Sequence, residues 1–276
     1  GSSLATAATF TQIAVPEMRR YGYHEQLATG SVAAAGTLGI LIPPSVIMVI
    51  YALAAEESVP MLFAAGMIPG VLLALLFLVT VYVISRVKPE WAPVGPVMPW
   101  GERVRAVAAM WKLALLFGLA VGGIYGGWFS PTEAAGIAAF AAIVIAFASR
   151  QLTLRGLYDC MVETLHTTAM LMFIIVGAWV FAYFVVQTRL PSGLIDLIEY
   201  FQLAPWAVIM MILVFYIILG CVLDAVAIIL VTVPVFLPVV TALGYDSVWY
   251  GILMVVVVEI GLITPPVGLN IFVIRA

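Results

Sequence analysis

Two long apolar stretches of the chain are each interrupted near the middle by two adjacent prolines. The interrupted stretches are residues 27–54, with Pro43-Pro44, and residues 249–274, with Pro265-Pro266. Proline has no backbone N–H and its ring clashes with the preceding turn, so a proline pair breaks a helix. Hydrocarbon cannot satisfy the backbone groups that such a break frees, so they must face protein or a polar ligand. We therefore expect two broken helices whose breaks lie in the protein interior.

The composition predicts that these helices lie in a membrane. Of the 276 residues, 65% are apolar and 9% are charged, and the mean hydropathy is +1.21. A soluble domain carries roughly a quarter charged residues, so a water-soluble enzyme is excluded. The net charge of −3, without a basic stripe, excludes nucleic-acid binding. Cys160 and Cys221 are too far apart in sequence to suggest a disulfide or metal framework. We predict an all-α polytopic membrane protein that is not an enzyme, since no HExxH, P-loop or GxGxxG motif is present.

Apolar runs of about 20 residues predict the membrane spans. The continuous runs cover residues 60–85, 108–127, 134–148 and 167–187. Residues 205–243 are about twice as long as one span and are interrupted at 220–224, which favours a re-entrant helical hairpin. All but one of the 11 Lys and Arg residues fall at one set of span ends. By the positive-inside rule, the linker at 86–112 is predicted to be cytoplasmic.

The chain also contains a weak internal repeat. An ungapped comparison at an offset of 222 residues aligns seven identities within residues 1–50, and most of them are Gly, Pro or Tyr, which are types that shape a backbone. The aligned pairs are Ala5 with Ala227, Pro16 with Pro238, Gly22-Tyr23 with Gly244-Tyr245, Gly39 with Gly261, and Pro43-Pro44 with Pro265-Pro266. Five predicted crossings, counting the first broken helix, separate the two hairpins. An odd number of crossings gives the hairpins opposite orientations in the membrane. Inverted repeats, each with a re-entrant hairpin and a Pro-Pro-broken helix, are typical of secondary transporters.

This repeat predicts the domain organisation. Residues 1–86 form a partial first repeat, residues 87–105 a cytoplasmic linker, and residues 106–276 the second repeat. The chain starts with Gly1 rather than Met and stops beside an apolar helix, so we expect a fragment that lacks both ends. An ion channel remains the alternative from another functional class, since channels also use re-entrant loops.

Polar and small residues cluster at the predicted hairpin tips and helix breaks. In the first half they are Ser2, Ser3, Thr6, Gly36, Thr37, Gly39, Ile42, Pro44 and Ser45. In the second half they are Gly220, Asp224, Glu259, Gly261, Thr264, Pro266 and Asn270. Hard oxygen ligands suit an alkali cation, and helix N-termini suit a carboxylate. We hypothesise two sodium sites beside one organic-anion site, although a Ser or Thr here can instead bond its own helix.

Asp224 and Glu259 need partners, because an ionised carboxylate at the bilayer centre is costly. We interpret both as structural residues. Asp224 is expected to pack at the hairpin tip or to cap a helix N-terminus. Glu259, one turn before the second break, is expected to accept hydrogen bonds from the backbone donors freed there.

Several motifs in this order resemble one family over nearly the whole chain. They are Gly1-Ser-Ser-Leu-Ala-Thr6, Gly36-Thr-Leu-Gly-Ile-Leu-Ile-Pro-Pro-Ser45, Ile68-Pro-Gly70, Phe129-Ser-Pro-Thr-Glu-Ala-Ala135 and Gly261-Leu-Ile-Thr-Pro-Pro-Val-Gly-Leu-Asn270. The combination resembles the large, DctM-like membrane subunit of the tripartite ATP-independent periplasmic (TRAP) transporters.

The resemblance implies a sodium-driven importer of organic acids in the bacterial inner membrane. It further implies a periplasmic substrate-binding protein, a small DctQ-like membrane subunit and an elevator motion. The substrates that it implies are C4-dicarboxylates, sialic acids, keto acids or other carboxylates. A related two-hairpin anion and sodium symporter that needs no binding protein is the alternative within transporters.

The resemblance also implies roles for individual residues. The first sodium site would use Ser2 or Ser3 with the carbonyls of Gly39, Ile42 and Pro44. The second would use Gly220, Gly261, Thr264 and Pro266. The substrate contacts implied are Ser45 and Asn270, with Thr6 at the hairpin tip.

Overall fold

A computed structural model describes residues 1–95, 98–265, 268 and 270, and in that part of the chain all regular structure is helical. The α-helices are α1 (Ser3–Arg20), α2 (Glu25–Leu41), α3 (Val46–Ala55), α4 (Val59–Val87), α5 (Trp100–Ala109), α6 (Trp111–Phe117), α7 (Gly123–Tyr125), α8 (Pro131–Ala148), α9 (Leu154–Gln187), α10 (Leu190–Tyr200), α11 (Pro205–Gly220), α12 (Ala225–Ala242) and α13 (Ser247–Leu262). A 3-10 turn covers Pro89–Trp91 and a π-helical turn covers Gly118–Gly122.

Four of these helices, α4, α8, α9 and α12, are long and apolar enough to cross a membrane, and counting each bent helix pair as one span raises the number to 6 within the described residues. The predicted all-α polytopic membrane class is therefore confirmed. Helices α4 and α8 match the predicted spans at 60–85 and 134–148 closely. Helix α9 has 34 residues and starts well before the predicted span at 167–187. At 1.5 Å per residue it is longer than the hydrocarbon core is thick.

The predicted span at 108–127 is not one straight helix. Helix α5 and the segment Trp111–Tyr125 meet at an angle of 44°. Helix α5 contains Glu102, Arg103 and Arg105 on an exposed surface, whereas the segment that follows is almost wholly apolar. Because charged side chains disfavour hydrocarbon, the apolar part of this region starts only after the bend.

The first proline pair breaks its helix as predicted. Helix α2 ends at Leu41, helix α3 begins at Val46, and the two axes differ by 43°. Prolines 43 and 44 have no N–H to donate to the carbonyls of Gly39 and Ile40, four residues earlier. Helix α3 restarts because the Ser45 hydroxyl oxygen accepts from the Met48 N–H at 3.3 Å, as an N-cap does.

The predicted hairpin at 205–243 is also present as two helices joined by a short turn. Helices α11 and α12 are separated by residues 221–224, and Asp224 Oδ2 accepts from the Val226 N–H at 3.0 Å. Asp224 is therefore the N-cap of α12. The rings of Tyr216 and Phe236, one from each arm, lie 6.0 Å apart between centroids.

Helix α13 ends just before the second proline pair. Its last residue is Leu262, its C-cap is Ile263, and Thr264 and Pro265 are not helical. Pro266 lies outside the described residues, so the second break is observed on one side only.

The helix boundaries follow the internal repeat. Helices α1 and α12 both have 18 residues, and their first residues differ by the same 222 positions as the aligned identities. Helices α2 and α13 start at the same offset. The glycine that precedes each of these two starts has a positive φ, 77° at Gly22 and 86° at Gly244. Each of these four helices has a side-chain N-cap. The caps are Ser2 and His24 in the first repeat and Asp224 and Asp246 in the second.

Five candidate crossings lie between α1 and the hairpin α11–α12, namely the broken helix α2–α3, helix α4, the bent segment α5–α7, and helices α8 and α9. This is the odd number of crossings that an inverted relation requires. The chain forms two compact units, Gly1–Val94 with Gly177–Ala276, and Gly95–Val176. Both proline pairs and the hairpin belong to the first unit. The predicted domain limits at 1–86, 87–105 and 106–276 stay a prediction.

Candidate functional site

The start of α1 lies against the first helix break. The Val46 N–H donates to the Gly1 carbonyl oxygen at 3.3 Å, and a Cβ on Gly1 would lie 2.9 Å from the Pro44 oxygen. A Cβ on Gly39 would lie 2.6 Å from Thr6 Oγ1. Glycine at 39 therefore lets α1 approach the end of α2 closely. The tip of α1 therefore lies beside Gly39 and Pro44, two members of the predicted first sodium site.

The side chains at the tip of α1 have distinct partners. Ser2 Oγ accepts from the Ala5 N–H at 3.4 Å, and the Thr6 hydroxyl donates to the Ser2 carbonyl at 2.7 Å. Thr6 thus bonds its own helix, which is the alternative expected for a Ser or Thr in the membrane. Ile42 is half-buried, and its N–H donates to the Leu38 carbonyl at 3.1 Å. The carbonyl of Gly39 has lost its usual helical donor to Pro43, as a cation ligand requires.

Three members of the predicted second sodium site are also neighbours. A Cβ on Gly261 would lie 2.7 Å from the Cα atom of Gly220. The Thr264 N–H donates to the Gly261 carbonyl at 2.9 Å, and the Thr264 hydroxyl donates to the Ile260 carbonyl at 2.5 Å. The Gly261 carbonyl therefore has a backbone partner, in contrast to that of Gly39. Pro266, the fourth member, lies outside the described residues.

A buried side-chain pair connects the two repeats. The Ser3 hydroxyl donates to Asn270 Oδ1 at 2.8 Å, and Asn270 Nδ2 lies 2.6 Å from the same hydroxyl oxygen. Ser3 is 5% exposed and Asn270 is fully buried. The pair joins a predicted sodium ligand on α1 to a predicted substrate contact beyond the second break. Ser3 therefore faces Asn270 rather than the first break.

Ser45, the other predicted substrate contact, is 1% exposed. Its oxygen caps α3 by accepting from Met48, so its hydroxyl hydrogen is left for another partner. The N-terminus of α3 also presents the positive end of the helix dipole, although the N–H groups of Val46 and Met48 already donate to Gly1 and Ser45. Both features suit an anion.

Glu259 is the most unusual charged residue of the site. It is 2% exposed, and neither carboxylate oxygen has a hydrogen-bond partner in the described part of the chain. An ionised carboxylate at the bilayer centre costs about 2.5–3.5 kcal/mol on an insertion scale. The expectation that it accepts from donors freed at the break is wrong, because the N–H groups of Ile263 and Thr264 donate to the Gly261 carbonyl instead.

A tyrosine cluster near the site was not predicted from the sequence. The hydroxyls of Tyr216 and Tyr250 lie 2.5 Å apart, and the Tyr51 hydroxyl donates to the Ser247 carbonyl at 2.6 Å. Ser247 also donates to Glu57. These bonds tie α3, α11 and α13 together. The signal in the sequence is three tyrosines within apolar runs, since a buried Tyr hydroxyl usually needs a partner.

The chain as a whole matches one sequence family. The family described as "Tripartite ATP-independent periplasmic transporter, DctM component" matches residues 1–276. This chain belongs to the DctM family. A permease subunit of a membrane transporter agrees with the apolar helices described above, and the resemblance found in the sequence is confirmed.

Characterised relatives in this DctM family carry several substrate names. The C4-dicarboxylate TRAP transporter large permease protein DctM of Pseudomonas aeruginosa is 44% identical over 100% of this chain and 64% of its own length. The isethionate TRAP transporter permease protein DctMQ of Oleidesulfovibrio alaskensis is 37% identical over 99% of this chain and 43% of its own length. The ectoine/5-hydroxyectoine TRAP transporter large permease protein UehC of Ruegeria pomeroyi is 35% identical over 99% of this chain and 63% of its own length. The chain thus spans less than two thirds of each of these relatives.

Proposed function

We propose that this chain is part of the large membrane subunit of a sodium-coupled secondary transporter that imports an organic carboxylate. A C4-dicarboxylate is the first candidate substrate. The substrate class is supported above all by the 44% identity to the C4-dicarboxylate permease over the whole chain. The isethionate and ectoine permeases carry different substrate names, so the class rests on this identity together with the chemistry of the site.

The polar groups at the breaks support recognition of an anion. Ser45 and Asn270 are both buried, in a chain with few polar interior side chains. Ser45 is the N-cap of α3, and the N-terminus of a helix favours negative charge. We propose that the substrate carboxylates bind between the N-terminus of α3 and Asn270, with Thr6 as a further contact on α1.

Neutral oxygens near the same breaks support coupling to sodium. The first proposed site uses Ser2 or Ser3 with the carbonyls of Gly39, Ile42 and Pro44. The second uses Gly220, Gly261, Thr264 and Pro266. Oxygen ligands without sulfur or imidazole suit a hard cation.

The packing supports an elevator motion. Helix α12 packs against α3, α11 against α13, and α1 against α2, so the hairpin and both broken helices form one packed group. Helix α4 contacts α2 and α13, but large apolar side chains along it, such as Leu72, Leu78 and Tyr82, are exposed. We propose that the packed group moves as a block against a scaffold.

The family description supports a tripartite assembly in the bacterial inner membrane. We propose a periplasmic binding protein that delivers the substrate and a small DctQ-like membrane subunit. One relative carries the combined name DctMQ, which supports the pairing with a DctQ-like subunit.

The test is uptake of labelled succinate into proteoliposomes that contain the complete permease and its small subunit. Accumulation is expected only with an inward sodium gradient and added binding protein. A potassium gradient of the same size is the matched control. Uptake at full rate without sodium would contradict the proposed sodium sites. Sodium-driven uptake without binding protein would favour the two-hairpin symporter. Rapid flux without accumulation would indicate a channel.

A further inference from the structure

We propose that Glu259 is the charged ligand of a third cation position, which lies between the two repeats. This position uses Ser3, which leaves Ser2 as the serine ligand of the first sodium site proposed above, and it takes a monovalent alkali cation. The inference rests on the proposed function only in that the protein binds alkali cations, and it holds for any transported solute.

The Glu259 carboxylate has lost its water without gaining a partner. The side chain is 98% buried, given its 2% exposure, and both oxygens lack a hydrogen-bond donor in the described part of the chain. A buried charge persists in proteins when it is paired or when it coordinates a metal ion. A carboxylate that stays ionised here therefore needs a positive partner, which a bound cation can supply.

No basic side chain supplies that partner within the described residues. The ion pairs there are Arg19 with Glu25 and Arg20 with Glu17, at the far end of α1. The local field thus favours a cation.

Two neutral oxygens stand beside the carboxylate. The side chains of Ser3 and Asn270 lie close enough to Glu259 to interact with it, although they bond each other instead. A cation could take the Ser3 hydroxyl oxygen, Asn270 Oδ1 and the carboxylate as hard ligands. One carboxylate with neutral oxygens favours a monovalent ion, and the described residues hold no group of three or more His, Cys, Asp or Glu that would cage a multivalent metal.

The position of these three residues gives the cation a structural effect. Ser3 lies in α1 of the first repeat, whereas Glu259 and Asn270 stand on either side of the second break. An ion bound here connects a hairpin helix of one repeat to the broken helix of the other. Cation binding would therefore close the hairpin of the first repeat onto the second break.

The test counts sodium ions bound to the complete permease in detergent, by equilibrium binding of radioactive sodium without substrate or other subunits. The Glu259→Gln variant, which keeps the side-chain shape and removes the charge, is expected to bind one ion fewer per protein at saturation. An unchanged number of ions with affinity within twofold of the wild type would overturn the proposal. That result would mean that Glu259 is held as a neutral group.

The matched control is Thr232→Val, at another buried polar side chain, whose hydroxyl donates to the Ile228 carbonyl of its own helix. It is expected to keep the full number of ions. Glu259→Asp keeps the charge but shortens the side chain, and is expected to keep the ion with at least fivefold weaker affinity.

A measurement on the unmodified protein covers the case in which Glu259→Gln does not fold. Crystals soaked in thallium(I), a heavy monovalent cation, are expected to show an anomalous peak in contact with the Glu259 carboxylate. Peaks elsewhere in the protein with none at Glu259 would overturn the proposal. Sodium-independent uptake together with this peak would contradict the proposed function alone, whereas sodium-driven uptake with no ion lost in Glu259→Gln would contradict this inference alone.

Discussion

Gly220 and Gly261 face each other so closely that a methyl group on either would meet the other's backbone. A Cβ on Gly261 would lie 2.7 Å from the Cα atom of Gly220, and one on Gly220 would lie 2.9 Å from the Val258 oxygen. Backbone atoms cannot rotate away as a side chain can. The contact fixes the end of the hairpin's first helix against the last turn of α13.

We expect Gly261→Ala to destabilise the protein by about 1–3 kcal/mol, the usual cost of overpacking. Thermal unfolding in detergent measures this. Gly136→Ala is the matched control, because it also lies in a helix and its Cβ would meet nothing within 4 Å. Equal melting temperatures for the two variants would show that α11 and α13 do not approach this closely.

The Ser3–Asn270 pair should behave as one unit in a double-mutant cycle. Ser3→Ala and Asn270→Ala should each cost about 1–3 kcal/mol, because each leaves a buried polar partner unsatisfied. The double variant should be less destabilised than the sum of the two, since residues in contact couple. The unfolding free energies of the four proteins give the coupling, and strict additivity would contradict the contact.

Thr264→Val should weaken the sodium dependence of uptake. Removal of the hydroxyl deletes a proposed sodium ligand at the second break, and we expect the half-saturating sodium concentration to rise about tenfold, equivalent to about 1.4 kcal/mol. Ser58→Ala is the control, because Ser58 precedes α4 without a side-chain capping bond. If both variants need the same sodium concentration, Thr264 acts only on the helix end.

Substitutions at Asp224 separate its capping role from a role of its charge. Asp224→Ala removes the bond to the Val226 N–H and should lower stability by about 0.5–2 kcal/mol. Asp224→Asn keeps an oxygen that can cap the helix. We expect Asn to retain both the melting temperature and sodium-driven uptake. A stable Asn variant that does not transport would instead assign a functional role to the charge.

The backbone of this region could be predicted from the sequence because its determinants are local. Adjacent prolines remove two donors from one helical turn, which fixes the break between Leu41 and Val46. The Gly-Cys-Val-Leu-Asp segment at 220–224 combines a helix end with an N-cap, which fixes the hairpin turn. The offset of 222 residues then predicted which helices correspond.

The partners of the buried side chains could not be predicted in the same way. The family resemblance implies Ser2 or Ser3 as a ligand at the first break, but Ser3 bonds Asn270, which is 267 positions away. Glu259 is expected from the sequence to accept from the nearest freed backbone donors, but the Thr264 N–H donates to the Gly261 carbonyl oxygen. Such pairings depend on how the two repeats pack against each other, and no local pattern encodes that packing.

Helix α12 packs against α3, and Ser3 of α1 contacts Asn270 beyond the second break. A hairpin helix of each repeat thus contacts the broken helix of the other repeat. Separation of the two repeats would therefore expose apolar surface on α3 and would leave the buried polar groups of Ser3 and Asn270 without their partners.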